Sequence, residues 1–332
     1  MSNKHQNWGW MLAVDFFFAG MGGGMMAIAA VVELFGGGTR MSLLGNLLGP
    51  ACMGIGCGFL VLELGKPFRA WRVFMNPKAI LTVGAWMMSI AMVSGFVYAV
   101  MGIPLDLIFW RNWAILGKVL ACINLVTGLT VATYPGVLLG RQKGRPFWVG
   151  PGIMVLFMLS SLVTGCALHY LSALLMPVLG TLLAPVLTSS SALYFLSGVV
   201  NPAPAAAIWH ALPGAIAALL LLQLLLWSGY LWIKQSGATA AEAASAQRWI
   251  SGDLSLIFKG FMVLGTIAPL VLLLLDIPAA QVAGAVLVLL GGVTMRVLTV
   301  RSGEDRTFLP GEQKYHLRLP TGSEEFLRKN WL

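Results

Sequence analysis

Charge is scarce in this sequence. Asp, Glu, Lys and Arg make up 10% of its 332 residues, where a soluble domain carries roughly 25%. That shortage excludes an ordinary water-soluble globule. The period-two alternation of apolar and polar residues that builds membrane barrels is also missing, so the fold expected is all-α. Cysteine is sparse as well: Cys52, Cys57, Cys122 and Cys166 all sit inside apolar runs. They lack the clustered spacing of zinc or iron–sulfur ligands and read as small packing residues.

What fills the chain is hydrocarbon. The residues are 58% hydrophobic and the mean hydropathy is +0.84. Apolar runs of about 20 residues recur from end to end, each long enough to cross ~30 Å of lipid. Eight spans are predicted, near 10–35, 41–65, 79–102, 112–140, 147–173, 204–234, 255–275 and 279–300. The first run is too long for a signal peptide and passes into Glu33 without a cleavage-like site. Gly and Pro mark the joints, as in "GGGTR", "GKPFRAWRVFMNPK", "GRQKGRP" and "DIP". Residues 174–203 carry no charge and three prolines, which predicts a re-entrant or interfacial segment, with a pair of extra spans as the alternative. The whole reads as a transmembrane domain over 1–300, built as two four-helix bundles (about 10–140 and 147–300), followed by a polar tail, 301–332.

Eight spans place both termini on one side, and that side collects 18 of the 21 basic residues, including seven from Arg296 onward. Only Arg40 and Arg111 fall opposite, and Lys118 lies within span four. The positive-inside rule then puts the termini in the cytoplasm, and the net charge of +9 is a topology signal rather than a nucleic-acid footprint. Glycines four apart (Gly20/Gly24, Gly45/Gly49, Gly54/Gly58) predict close helix packing in spans one and two.

A few polar residues interrupt the apolar runs, and buried ionisable groups in lipid usually have a task or a partner. Asp15 lies about 7 Å along the helix from Trp10, and Tyr134 about 10 Å from Arg141 at the same surface. Pro135 follows the tyrosine and frees a carbonyl there. Glu63 ends span two beside Lys66 and Arg69, which suggests either an interfacial ion pair or a step on a proton route. Towards the other surface, Glu33, Lys118, His169 and His210 are further proton-route candidates. The two histidines could alternatively ligate a haem, or simply hydrogen-bond at the interface.

Three stretches carry a family resemblance: "WGWMLAVDFFFAGMGGG" in span one, "LELGKPFRAWRVFMNP" with the following "GAW", and "TYPGVLLGRQKGRPFW" ending span four. In their order and spacing they resemble the NrfD family, the membrane subunits of polysulfide-reductase-type complexes. The resemblance implies an inner-membrane anchor that binds a quinone (menaquinone or ubiquinone) and carries no haem or iron–sulfur cluster of its own. It implies partners too: an iron–sulfur subunit and a molybdopterin catalytic subunit. Tyr134 matches the family tyrosine that hydrogen-bonds the quinone, and Asp15 takes the place of a polar residue, histidine in some members, at the same pocket. Trp10 would stand at that pocket and Asp15 would accept a quinol proton. The 301–332 tail, with Phe308, Tyr315, Phe326 and Trp331 as apolar anchors, is expected to lie on a partner. A secondary transporter or channel, and a purely structural anchor, are the competing classes.

Overall fold

A computed structural model describes residues 9–36, 40–63, 67–76, 79–103, 109–110, 113–142, 144–189, 206–237 and 239–304. The described residues form eight helices long and apolar enough to cross a membrane: Trp10–Phe35, Leu43–Glu63, Ile80–Val100, Ala114–Gly140, Gly152–Leu182, His210–Gln235, Ser255–Leu274 and Pro278–Arg301. These are spans one to eight. The protein is a multi-pass membrane protein, all-helical as the sequence predicts.

Span one is the axis of the molecule. It packs against spans two, four, five and eight and is buried along most of its length. Its many Ala and Gly residues allow this on several faces at once, because small side chains let backbones approach where lipid supplies no hydrophobic drive. At Gly24 a side chain would collide with the carbonyl of Ser161 in span five. The glycine reading holds for Gly20 and Gly45 too, which touch Ser161 and His169. It fails for Gly58, which faces open space.

Spans one and four both pack on span five, so contacts run between the two expected four-helix bundles. The apolar core crosses between them as well. One cluster joins Leu12, Ala13 and Phe16 of span one to Phe157, Trp227 and Met295 of spans five, six and eight. Large apolar side chains such as Ile115, Val126, Trp232 and Leu256 point outward, as a lipid-facing surface requires.

The helix of span five continues unbroken to Ser189, so residues 174–189 carry on that helix. Residues 190–203 of the apolar segment lie outside the described residues, as does the tail from 305 with its four aromatic anchors. The joint after span two is a 3-10 helix, Pro67–Met75. Thr82, at the start of span three, ties it down by donating to the carbonyls of Val73 (2.6 Å) and Asn76 (2.7 Å).

In the last turn of span six, Lys234 donates to the carbonyls of Pro146 (2.9 Å) and Val149 (2.6 Å) and pairs with Glu242 (3.0 Å). A short helix, Ala240–Ile250, follows, with Thr239 capping it at the Glu242 N–H. It places Trp249 against Phe147, the rings stacked 4.5 Å apart. In the loop beyond, the Arg248 fork on Asp253 holds that exposed carboxyl below the ordinary carboxylate range.

Arg296 corrects the charge count. It is fully buried inside span eight, donating to the hydroxyls of Ser160 and Ser161 (3.0 Å to the latter). Its guanidinium lies over the rings of Phe17 and Phe157, 5.9 and 5.7 Å from their centres. It is therefore an interhelical tie and contributes nothing to the surface charge. From position alone an arginine near the end of a span looks like a flank residue; only the small hydroxyls opposite show that it turns inward.

Candidate functional site

Between spans two and three the structure holds an apolar cavity of about 310 Å³. Cys57, Leu60 and Val61 of span two form one wall, and Leu81, Gly84, Ala85, Met88 and Ser89 of span three form the other. Both sets follow helical spacing, so each wall is one face of one helix. Ala70, Trp71, Val73 and Phe74 of the 3-10 helix close one end, with Phe74 edge-on to Trp86 at 5.2 Å. Tyr134 of span four also lines the cavity, and its buried hydroxyl has no hydrogen-bond partner among the described residues.

Asp15 is 4% exposed, and its Oδ1 likewise lacks a partner among the described residues. It does not line the cavity. Its backbone lies against span two, where a side chain on Gly56, next to Cys57 of the wall, would be 3.0 Å from the Asp15 carbonyl oxygen, and Tyr134, Cys57 and Glu63 are its titratable neighbours. Glu63 sits at the start of span one, where its Oε1 accepts the Gly9 N–H at 3.3 Å. A carboxylate suits that place, because helix N-termini carry positive partial charge. Its Oε2 is buried without a partner among the described residues, and no ion pair of Glu63 is found there; Lys66 lies outside them. Among the described residues Glu63 is therefore seen in a backbone contact, at the end of span two next to Gly9.

Trp10 is 64% exposed and meets Phe59 edge-on at 6.1 Å. It is not among the residues that line the cavity.

The four other candidates are not brought to this site. Glu33 is eighteen residues, or about 27 Å, along span one from Asp15. It is held there by Arg40 (3.1 Å) and by the Tyr98 hydroxyl (3.3 Å). Lys118 is exposed on the outside of span four. His169 is fully buried, its Nε2 2.9 Å from the Met25 carbonyl, whereas His210 is exposed at the start of span six. One histidine is enclosed against span one and the other is exposed.

A family described as "Polysulphide reductase, NrfD" matches residues 1–304. The protein belongs to the NrfD family. It is similar to "Protein NrfD" of Escherichia coli K12, with 26% identity over 182 residues, 48% of this sequence and 57% of that protein. It is also similar to the C subunit of polysulfide reductase from Wolinella succinogenes, with 24% identity over 196 residues, 51% of this sequence and 58% of that protein. The matches thus span somewhat over half the length of these relatives.

Within this NrfD-family protein, sequence reasoning found Tyr134, Asp15 and Glu63, which the fold gathers, but missed the apolar walls. Cys57, Leu60 and Val61 give one usable signal, the i, i+3, i+4 spacing, which faces Leu81, Gly84 and Ala85 at the same spacing. That signal is invisible until the two helices are known to be neighbours. The 3-10 helix was hidden because "PFRAWRVFM" mixes aromatics with arginines and has the composition of an ordinary loop.

Proposed function

We propose that the protein is the quinone-binding anchor of an oxidoreductase complex, passing electrons between membrane quinone and an iron–sulfur partner of a molybdopterin catalytic subunit. One observation carries this reading: an apolar slot between two helices lined by a buried tyrosine whose hydroxyl has no partner among the described residues. A quinone head needs a flat apolar slot with a polar group for its ring oxygen, and this is that combination. Membership of the NrfD family favours the redox reading over a transporter, and the polysulfide reductase relative supports partners of this kind.

The residues divide the work. The walls of spans two and three exclude water and hold the ring. The Tyr134 hydroxyl holds a ring oxygen. Asp15 takes up one of the two protons that leave with quinol oxidation, or returns it in the opposite direction, by way of Tyr134, which lines the cavity; the second proton follows once Asp15 has passed the first towards Glu63. Glu63 is the next carboxylate towards the end of the helix, so protons enter and leave at the surface that bears Gly9. Lipids extracted from the purified protein should contain bound quinone; preparations that never contain it contradict the reading.

The charge bias supports termini on the cytoplasmic side, and removing Arg296 from the count leaves it strong. Arg145 and Lys234, though on that side, are also buried in structural contacts. A fluorescent cytoplasmic reporter fused at Leu332 should therefore light up. An active alkaline phosphatase at the same position, with the fluorescent fusion dark, would reverse the orientation.

A further inference from the structure

We propose that Gly84 of span three is a positioning residue for Tyr134: its missing side chain is what lets the phenol ring enter the cavity. The inference rests on the quinone reading above. A methyl group built on Gly84 would stand 2.5 Å from Tyr134 Cζ and 3.0 Å from Cδ2. Ordinary carbon contacts are about 3.5–4.0 Å, so the ring would have to retreat by ~1 Å. Cζ carries the hydroxyl, and the hydroxyl moves with it.

The backbones on either side cannot take up that shift. Two residues before Tyr134, span four is pressed onto span one: a side chain on Gly23 would be 3.1 Å from the Ala132 nitrogen and 2.6 Å from the Gly128 oxygen. Two residues after it, Gly136 lies against span five, where a side chain would be 2.5 Å from the Met154 Cα. Span three is fixed above by the two Thr82 hydrogen bonds. Below, Gly95 abuts Met26 and Pro50: a side chain there would be 3.1 Å from the Met26 sulfur and 3.2 Å from Pro50 Cβ. The ring is the one movable part. Since Tyr134 is a polar residue lining an apolar slot, a shift of its hydroxyl removes the contact that orients the substrate, and misplacement by about 1 Å can cost up to ~10²-fold in rate.

The test compares Gly84→Ala, Tyr134→Phe and the double variant in the assembled complex, assaying quinone-linked and dye-linked activity together. Gly229→Ala in span six, where a side chain meets nothing within 4 Å, is the control for adding a methyl group to a membrane helix. Gly84→Ala should lower quinone-linked turnover by roughly tenfold, with dye-linked activity and the control unchanged. Adding it to Tyr134→Phe should cost no more than about twofold further, because the hydroxyl it displaces is already gone. Losses that multiply in the double variant would overturn the inference by making Gly84 independent of Tyr134. Normal activity of Gly84→Ala beside an impaired Tyr134→Phe would overturn it too, and leave the quinone site standing. If both single variants are normal, the cavity reading itself has failed. Should Gly84→Ala not accumulate in the membrane, Tyr134→Ala is added to clear the ring. Restored accumulation supports the contact, and its absence refutes it.

Discussion

Asp15→Asn is expected to lower quinone-linked turnover by about a hundredfold, the lower range for loss of a general base, with quinone affinity near that of the unaltered protein. The amide has the shape of the carboxyl group, so packing in span one is spared. Asp15 makes no contact with the cavity space, so binding should change little. What the substitution removes is a group that can take up and release a proton behind Tyr134. Turnover and the Michaelis constant for quinol, measured on the complex, separate the two effects. Normal turnover would return Asp15 to a packing role, and a raised Michaelis constant at normal turnover would make it a binding residue instead.

The second large effect is at Tyr134. Phenylalanine keeps the ring against Gly84 and deletes only the hydroxyl. That hydroxyl has no partner among the described residues, so the folded protein loses no internal hydrogen bond there. The expected fall in quinone-linked activity is roughly tenfold or more, the equivalent of one hydrogen bond to a reacting group. Activity of the soluble partners with artificial dyes should be unchanged. An equal response in both assays would show that the hydroxyl matters to assembly rather than to the substrate.

The spans were legible because lipid imposes one demand on every helix: about 20 apolar residues without charge. Asp15, Tyr134 and Glu63 were legible for the converse reason, since a polar group in such a run stands out. Their neighbourhood is a property of helix packing, and sequence depth along each helix was enough to suggest it. Depth does not give direction, however. His169 and His210 lie near the same ends of their spans in the sequence, yet one is enclosed beside Met25 and the other is exposed. Arg296 sits where a flanking arginine would, and turns inward because Ser160, Ser161 and the neighbouring glycine of span one make room. The cavity was the least legible part. Leu, Val, Ala and Met on spans two and three look the same whether they face lipid, core or an internal slot.

The most direct test of the account is the quinone content of a protein whose cavity has been filled. Ala85 lines the slot on span three, and Ala85→Trp places an indole in the space assigned to the substrate head. The account predicts that quinone copurifies with the unaltered protein and is lost from Ala85→Trp, while both remain folded and inserted to the same extent. Equal quinone in the two proteins would contradict it.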